Sequence, residues 1–478
     1  MKPGSRALAA AAALATAAAA AAALAGCRGH DEPADAPPAW DKRLPDAREL
    51  GARRGLVPAR GIVHLHSPYS HDACDGAPRD AAGAPNEPCL ADLRAALCQT
   101  RTDFAALTDH DDTMADEGFA TLLSMREADR PLTSGAGEPI ASRMTCPDGH
   151  AVTFTVGGEN ELMPIMLERH VAGTVAERHA TYNGEDAAAV AAFHAAGGLV
   201  WVAHTESKSL ALLRAVAPDG IEVYNLHANI DPDIRRDFLG LPPAGAIAAA
   251  AAFADTNPGH PEPDLALLAF LEPNRPAIDT WHTLLGEGRH LAATAGSDAH
   301  QNAIPITFAD GERGDSYRRV LRWFSNIALV ADPGDPAGVK AALRAGRLFT
   351  AIEVLGSPVG FDVRAQAAAR TYELGDVIPR TEAATLLVDL PAVHALDPAL
   401  PAPEVRARVI RIETPAGAVT ELAAGAASPL AVPLPGPGAY RVEVTIVPRH
   451  LGPYLGDLGP AMAERELPWL YASPLYVE

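Results

Sequence analysis

A chain of 478 residues is too long for one ordinary domain, so at least two are expected, and its 48% hydrophobic residues are enough to fill their cores. The net charge of −21 argues against a nucleic-acid partner, because phosphate contacts need clustered Lys and Arg and the sequence has no basic run. The acidity is typical of a solvated surface.

The first 27 residues have the pattern of an export signal. Lys2 and Arg6 form a positive start, an alanine-rich apolar run follows over 7–23, and the letters LAGC at 24–27 resemble the lipobox of bacterial lipoproteins. This resemblance implies cleavage before Cys27, acylation of that cysteine and a lipid-anchored protein of the bacterial cell envelope, on the outer membrane or the periplasmic face. A plain signal peptide or an uncleaved anchor is the alternative.

The segment over 28–58 is predicted to be a flexible tether. Up to about Pro45 it is rich in Pro, Ala and Asp and has no apolar period. The rest of the chain is predicted to form two domains, a barrel over 59–350 and a β-sandwich over 351–478.

Four further cysteines, Cys74, Cys89, Cys98 and Cys146, belong to the portion expected to be exported. Disulfides persist outside the cytoplasm, and an even count allows two bridges with three possible pairings. A bridge between Cys74 and Cys89 would close a loop rich in Gly, Pro and Asp, and Cys98 with Cys146 would then follow, although the sequence leaves the pairing open. A cysteine-based zinc site is the alternative, and the lack of a C-x-x-C spacing argues against it.

From about residue 60, short apolar runs alternate with helical patterns. The predicted strands are Gly61–His66, Phe104–Leu107, Val152–Val156, Leu199–Ala203, Gly220–Val223 and Leu291–Ala295. The predicted helices cover 90–100, 185–196, 211–216 and 278–287. This alternation predicts an α/β fold with a parallel sheet, and polar residues directly after the strands favour a barrel with its active site at the carboxyl ends of its strands.

Two other regions depart from this alternation. Between 227 and 276 it is interrupted, and the alanine-rich run over 244–253 is predicted to be a packing helix, because it is too short to span a membrane. After about residue 350 the helical patterns fade. Short strands between Pro and Gly turns, with period-two alternation over 441–446, predict a β-sandwich there.

Metal-ligand residue types mark the predicted strand ends. His64 and His66 are two apart on the first strand, so they lie on one face of it. Later strands are followed by Asp109, His110, Glu159, His204, Asp298 and His300. A mixture of imidazole and carboxylate ligands suits Zn²⁺, Mn²⁺ or Fe²⁺. One His-x-His pair would be common by chance, but the ordered set indicates a metal centre.

This ordered set resembles the PHP family, named for polymerase and histidinol phosphatase domains, over roughly residues 60–350. The resemblance implies a distorted (β/α)7 TIM-like barrel that binds two or three divalent metal ions and hydrolyses, in most members, phosphoesters. It also divides the ligands. One ion would be held by His64, His66, Glu159 and Asp298. Another would be held by Asp72, His110 and His300, where Asp72 stands at a position that is histidine in many members.

Glu159 would bridge to a further ion that His204 holds. In the family this ion usually takes one more histidine from the intervening segment. His170 and His179 both lie there, and His170 resembles the family pattern better.

Several residues are predicted to act around the ions. No G-x-S-x-G motif is present, so hydrolysis is expected to use water activated at the metals. Asp109 and His110 are the candidate catalytic residues, with Asp109 orienting His110 or acting on the water, or else capping the segment that follows. Glu222 is predicted to support a ligand. His227 follows a strand near the mouth of the barrel and is predicted to contact the substrate.

A barrel of this kind followed by a β-sandwich in an exported protein further resembles the CehA/McbA-like metallohydrolases, on the segments 343–350 and 468–477. Some of that group act on carbamate or carboxyl esters. Three hypotheses therefore stand: a metal-dependent phosphoesterase of the cell envelope, a carboxyl-ester or carbamate hydrolase on the same barrel, and a non-catalytic binding lipoprotein. The retained ligand positions argue against the third. The expected partners are a small-molecule ester and, through the lipid anchor, a membrane.

Overall fold

The structure is a computed structural model that describes residues 37–135, 137–257 and 259–478. The predicted signal peptide over 1–27, the candidate lipidation site Cys27 and the start of the predicted tether lie outside the described residues. No helix in the described part of the chain has the length and apolar character needed to cross a membrane.

Residues 40–56 are packed against the rest of the protein, which corrects the predicted flexible tether. The indole Nε1 of Trp40 donates a hydrogen bond to Asp264 at 2.8 Å. The ammonium group of Lys42 lies 2.7 Å from Asp310. The composition suggested a tether because a segment rich in Pro and Ala has no apolar period. The segment is nevertheless held in place, because Trp40 and Lys42 reach acceptors that are distant in sequence.

The chain before residue 348 alternates strands and helices. Its strands are β1 (Val57–Ile62), β2 (Phe104–Leu107), β3 (Arg130–Thr133), β4 (Pro139–Thr145), β5 (Ala151–Val156), β6 (Met163–Ile165), β7 (Leu199–Val202), β8 (Gly220–Asn225), β9 (Ala292–Gly296) and β10 (Ser325–Val330). Its α-helices are Ala73–Gly76, Glu87–Gln99, Asp111–Met114, Phe119–Leu122, Val175–Tyr182, Ala187–Ala195, Leu210–Val216, Leu226–Ile230, Pro232–Asp237, Gly245–Ala251, Arg275–Gly286, Tyr317–Leu321 and Pro336–Ala345.

Six of these strands form two parallel arcs. β1, β2 and β5 pair in parallel, and so do β7, β8 and β9. A parallel bridge between Leu65 and Ala299 shows that both arcs point the same way. Nearly every side chain of the six strands is buried, as parallel strands covered on both faces require. The carboxyl ends of all six strands therefore lie on one side of the molecule.

The predicted (β/α)7 barrel is not closed by a continuous backbone ladder. β10 pairs antiparallel with β1 and occupies the edge that a closing strand would use. The side chain of Asn326 crosses the gap between β10 and β9, because its amide donates to the carbonyl of Ala295 and accepts from the amide nitrogen of Ala295, both at 2.9 Å. On the opposite side, within the residues that the structure describes, one antiparallel bridge from Val156 to Leu167 joins the arcs.

The chain after residue 348 is largely β-structure. Its strands are β11 (Leu348–Ala351), β12 (Pro358–Val359), β13 (Asp362–Ala367), β14 (Thr371–Tyr372), β15 (Val377–Ile378), β16 (Ala384–Asp389), β17 (Ala392–Val393), β18 (Glu404–Glu413), β19 (Val419–Gly425), β20 (Leu430–Pro433), β21 (Gly438–Val447), β22 (Leu467–Ala472) and β23 (Leu475–Val477). Two short α-helices, Gly452–Leu455 and Gly459–Met462, precede β22.

Two sheets face each other in this part of the chain. One contains β14, β13, β16 and β20, and the other contains β18, β19, β21, β22 and β23. Val363 and Leu386 of the first sheet share one apolar core with Val409 and Val442 of the second. β11 pairs with both β10 and β22, so one sheet runs from the first arc into this layer and the two parts of the protein share a backbone ladder.

Two disulfides join Cys74 to Cys89 and Cys98 to Cys146. This is the pairing that the loop composition favoured, and it leaves none of these four sulfurs as a thiol for a zinc site. Cys89 and Cys98 both lie on the helix Glu87–Gln99. The bridges therefore fasten the two ends of one helix, the first to the loop after β1 and the second to the end of β4.

A buried arginine lies between the parallel arcs and the C-terminal sheets. Arg441 of β21 donates a hydrogen bond from Nε to Nε2 of His282 at 2.7 Å, and another to Glu443. The guanidinium also lies 5.0 Å from the ring of Trp281. Burial and the charge of Arg441 lower the pKa of His282 to about 4, so the ring is neutral near pH 7 and accepts this hydrogen bond.

We expect the contribution of His282 to stability to be lost as the pH falls from about 6.5 to about 4. The unfolded ring titrates near its ordinary pKa of 6.5 and the folded ring near 4, so between these values the unfolded state binds the additional proton. A His282→Gln variant keeps an acceptor for Arg441 but has no group that titrates there. Between pH 6.5 and pH 4 its free energy of unfolding should therefore fall by about 1–2 kcal/mol less than that of the parent. Urea unfolding at both ends of the interval measures this, and equal losses would contradict it.

Candidate metal centre

Ligand-type side chains follow the carboxyl end of each of the six parallel strands. In chain order these are His64 and His66 after β1, His110 after β2, Glu159 after β5, His204 after β7, His227 after β8, and Asp298 and His300 after β9. Because the six strands point the same way, their ends meet at one rim and bring these side chains together.

The His-x-His pair lies just beyond the strand that was predicted to contain it. The ladder of β1 ends at Ile62, and a bridge between Leu65 and Ala299 follows it. His64 and His66 still turn to the same side, since their Nε2 atoms lie 3.3 Å apart.

The innermost group of ligand atoms, here called the inner group, consists of His64 Nε2, His66 Nε2, Glu159 Oε2 and Asp298 Oδ1. His64 Nε2 lies 3.4 Å from the Glu159 oxygen and 3.3 Å from the Asp298 oxygen, and His66 Nε2 lies 3.3 Å from both. Four ligands placed tetrahedrally at about 2.0–2.1 Å from a zinc ion would be about 3.4 Å apart. The inner group is buried and has the spacing that one such ion requires.

A second group, the Asp72 group, contains Asp72, His110 and His300, together with His66, which it shares with the inner group. The Asp72 Oδ2 atom lies 3.2 Å from Nε2 of His300 and 3.6 Å from Nε2 of His110. Nε2 of His110 is also 3.6 Å from the same Glu159 oxygen that belongs to the inner group. One third of the Asp72 side chain, 33%, is exposed, so this group lies nearer to solvent.

A third group, the His227 group, contains His204, His227 and Asp298. Asp298 Oδ2 lies 3.1 Å from Nε2 of His204 and 2.8 Å from Nδ1 of His227. Nε2 of His204 is 3.4 Å from Glu159 Oε1. Glu159 and Asp298 therefore each present one oxygen to the inner group and the other oxygen to the His227 group.

His204 and Asp298 both have left-handed backbone conformations, with φ of 49° and 51°. This region is unfavourable for residues other than glycine, and such strain concentrates at functional sites.

Hydrogen bonds at Nδ1 orient five of the histidines. The partners are Glu222 for His64, Ser70 for His66, the carbonyl of Glu159 for His110, Glu206 for His204 and the carbonyl of Asp298 for His300. A ring that donates from Nδ1 keeps the lone pair of Nε2 for a metal ion, which is the usual arrangement at metal-binding histidines. His227 is turned the other way, with Nδ1 towards Asp298.

Glu222 approaches His64 closely, to 2.8 Å, in agreement with its predicted supporting role. The approach depends on Gly296, because a Cβ atom there would lie 1.9 Å from the Glu222 carboxylate. Glu206 supports His204 in the same way and is itself held by the Asn274 amide at 2.8 Å. Sequence reasoning missed Glu206 and Asn274, since a buried carboxylate two residues after a histidine has no periodic signal.

The residues present fit a metal ion. Asp298 Oδ1 and His300 Nε2 are buried and find no hydrogen-bond partner within the described part of the chain. Buried polar atoms are rarely left in this state. An ion held by the inner group would satisfy Asp298 Oδ1, and an ion held by the Asp72 group would satisfy His300 Nε2. The donor set of imidazole nitrogens and carboxylate oxygens is the one that Zn²⁺, Mn²⁺ and Fe²⁺ accept.

The electrostatics of the site also favour cations. Burial by itself would raise the pKa of Glu159 and of Asp298, but His64 and neighbouring imidazoles hold both well below their ordinary values. In return, against the effect of burial, the carboxylates around His64 raise its pKa well above the ordinary value. The neighbouring Asp72 and Glu159 likewise raise the pKa of His110 to about 10 despite its burial. Positive charge, as protons or as metal ions, is therefore strongly stabilised here.

The carboxylate of Asp109 is bound by Ser67, which corrects its predicted roles of orienting His110 and of capping the segment that follows. Its two carboxylate oxygens accept hydrogen bonds from the backbone nitrogen and the hydroxyl of Ser67, at 2.6 and 2.8 Å. Burial raises the pKa of Asp109 to about 7. The carbonyl of Glu159, not Asp109, orients His110. Asp109 instead holds the start of the loop that follows β1.

His170 lies outside the three groups, which corrects its assignment as a ligand. Its ring nitrogens are each 2.9 Å from an oxygen, Nδ1 from the Tyr182 hydroxyl and Nε2 from the Glu117 carbonyl, so both are used elsewhere. The other histidine of that interval, His179, pairs with Asp111 at 2.7 Å. His227 takes the place beside His204, with 45% of its side chain exposed.

Comparisons with known proteins give only remote similarity. No family model matches the chain, and no curated protein matches it. Among solved structures, one similar chain is a two-domain protein from Bacteroides vulgatus ATCC 8482 described as containing a predicted PHP-like metal-dependent phosphoesterase. It is 12% identical, with coverage of 94% of this chain and 100% of that chain and a TM-score of 0.34. Another is PsfC from Pseudomonas syringae PB-5123, 14% identical, with coverage of 56% and 82% and a TM-score of 0.26.

A His227→Ala variant is expected to bind one metal ion fewer per chain than the parent, or to bind it at least about 10-fold more weakly. The variant lacks the imidazole that completes the His227 group beside His204 and Asp298. His170→Ala is the matched control and should keep the parent's metal content. Plasma mass spectrometry after dialysis against Mn²⁺ or Zn²⁺ measures both. An unchanged count in His227→Ala would leave that residue with its predicted role as a substrate contact.

Proposed function

We propose that this chain is a PHP-type metal-dependent hydrolase that cleaves an ester bond, with a phosphoester as the preferred substrate class. One observation carries the proposal: three groups of ligand atoms converge at one rim and share members. Glu159 and Asp298 link the inner group to the His227 group, and His66 links it to the Asp72 group. Linked ligand groups are the arrangement that di- and trinuclear hydrolases need, because neighbouring ions must act on one substrate.

Two or three divalent ions, Zn²⁺, Mn²⁺ or Fe²⁺, would be held by the three groups. The proposed ligands are His64, His66, Asp72, His110, Glu159, His204, His227, Asp298 and His300. When bound, such ions lower the pKa of water and neutralise negative charge that develops on the oxygens of an ester.

The side chains of the site have separable roles in this proposal. His64 and His66 are fully buried and form the floor of the centre. His227 and Asp72 are the more exposed members, at 45% and 33%, so a substrate would approach from their side. Glu222 and Glu206 keep the ring nitrogens of their histidines directed inwards, which reduces the reorganisation needed when a substrate binds.

The linked groups support a phosphoester over a carboxyl ester. A phosphoester has several charged oxygens that neighbouring cationic positions can contact together, whereas a carboxyl ester has one neutral carbonyl to polarise. The CehA/McbA-like resemblance keeps carboxyl esters and carbamates as the competing substrate class, and a matched set of nitrophenyl esters separates the two classes.

We further propose that the mature protein works outside the cytoplasm, anchored through Cys27. The motif at 24–27 and the two disulfides support this location, because disulfides persist in oxidising compartments.

Replacing a ligand of the inner group is expected to abolish turnover without unfolding the protein. His66→Ala and Asp298→Ala should each release metal and lower hydrolysis by more than about 100-fold, which exceeds the loss typical of residues that only orient a ligand. His194→Ala is the control, since that exposed histidine pairs with Asp219 away from the centre. Metal analysis, circular dichroism and turnover are measured together. Retained turnover in either ligand variant would overturn the proposed site.

A matched set of nitrophenyl esters tests the substrate class. Residues 28–478, loaded with Mn²⁺ or with Zn²⁺, are assayed against the phosphate monoester, the phosphodiester and the acetate. We expect a preference for a phosphorus ester, because the linked ligand groups suit several charged oxygens. Faster cleavage of the acetate would move the protein to the carboxyl-ester class. Inactivity of a protein that contains no metal would favour a binding role instead.

A further inference from the structure

Asp72 reaches the metal centre differently from the other ligands. The others directly follow strand ends, whereas Asp72 lies on the loop between β1 and the helix Glu87–Gln99. It directly precedes the short turn Ala73–Gly76, which is not regular α-helix because Cys74 and Asp75 are left-handed. No strand therefore determines where its carboxylate sits. Its position comes from other contacts. The Ser70 hydroxyl donates to Asp72 Oδ1 and the Asn302 amide donates to the Asp72 carbonyl, both at 2.9 Å, and the loop is held further after Asp72. The Asp72 carboxylate lies 3.2 Å from His300.

Backbone hydrogen bonds hold this loop against the segment that carries His300. The amide nitrogen of Cys74 donates to the carbonyl of His300 at 2.9 Å, and that of Asp75 donates to the carbonyl of Gln301 at 3.0 Å. Cys74 and Asp75 both have φ of 57°, in the left-handed region that residues other than glycine disfavour. Such a conformation persists only where the surroundings restrain it.

The Cys74–Cys89 disulfide supplies a covalent restraint at this point. Both cysteines are buried, at 7% and 5% exposure, while the segment over 77–86 that joins them is mostly exposed. Cys89 lies in the first turn of the helix Glu87–Gln99. The bridge therefore ties the loop to a fixed helix two residues after Asp72.

The helix is in turn fixed relative to the metal centre. Cys89 Sγ lies 3.9 Å from the hydroxyl of Tyr317, and this hydroxyl donates a hydrogen bond to the carbonyl of His66 at 3.0 Å. The disulfide thus connects the Asp72 loop, through buried groups, to the floor of the site.

We propose that the Cys74–Cys89 disulfide is a positioning element of the metal centre, which places Asp72 beside His110 and His300 so that this position can bind its ion. The inference rests on the proposed metal-dependent function and deepens it. It predicts that the Asp72 group is complete only in the disulfide-bonded chain, while the inner group, built on strand ends, does not need the bridge.

The second disulfide provides a matched control. Cys98–Cys146 fastens the other end of the same helix to the end of β4, away from the ligands. It joins residues 48 apart in sequence, against 15 for Cys74–Cys89. Because closing a longer loop restricts the unfolded chain more, its removal should destabilise the protein at least as much. Loss of an ion from one variant alone therefore separates positioning from general destabilisation.

The experiment counts ions per chain by plasma mass spectrometry after dialysis against Zn²⁺ or Mn²⁺. Cys74→Ser with Cys89→Ser should bind one ion fewer than the parent, or bind it at least about 10-fold more weakly, as Asp72→Ala does. Cys98→Ser with Cys146→Ser should keep the parent's count. If serine prevents folding at the buried positions, Cys74→Ala with Cys89→Val keeps apolar packing without the bridge and should show the same loss.

Equal counts in the two double variants would overturn the inference, and so would an unchanged count in Asp72→Ala. Counting ions does not depend on turnover. A parent protein that binds its ions but cleaves no ester would refute the proposed function while the comparison of variants still decides this inference. A parent that binds no ion would refute both.

Discussion

The site depends on the contacts between two buried carboxylates, those of Glu159 and Asp298, and the imidazoles around them. Both are buried, and each directs its two oxygens to different groups of imidazoles. A buried negative charge is costly unless cations surround it, so these two residues require positive charge on several sides. Glu222 orients His64 and Glu206 orients His204, so that the other ring nitrogen of each points to the carboxylates. Metal ions can then take the place of the protons that would otherwise supply the positive charge.

The fold serves this arrangement through the common direction of its strands. Two parallel arcs end at the same rim, and their ligands meet there although the backbone ladder between the arcs is interrupted. Asn326 closes one interruption with side-chain hydrogen bonds in place of a strand. The outer edge of the first arc continues through β10 and β11 into the C-terminal sheets. The sheet that carries the ligands of the first arc is therefore larger than the barrel that the sequence predicted.

Sequence reasoning located the strands well and the side-chain directions less well. The predicted strand at Phe104–Leu107 agrees with β2, and the ligand types after the strand ends do converge. Asp109 was misjudged because a residue beside a ligand can point away from it, here to Ser67. His170 was misjudged because its segment satisfies both ring nitrogens locally, while His227 supplies the ring beside Asp298.

The sequence by itself determined the order of apolar runs and the residue types that follow them, because the periodicity of strands and helices and the preference of metals for imidazole and carboxylate are local properties. Only the tertiary structure decided which of these residues meet. Asp72 meets His300, and His64 meets Glu222, although these residues are far apart in sequence. These contacts depend on the paths of loops, on the left-handed conformation of His204 and on a disulfide, and none of these has a local sequence pattern.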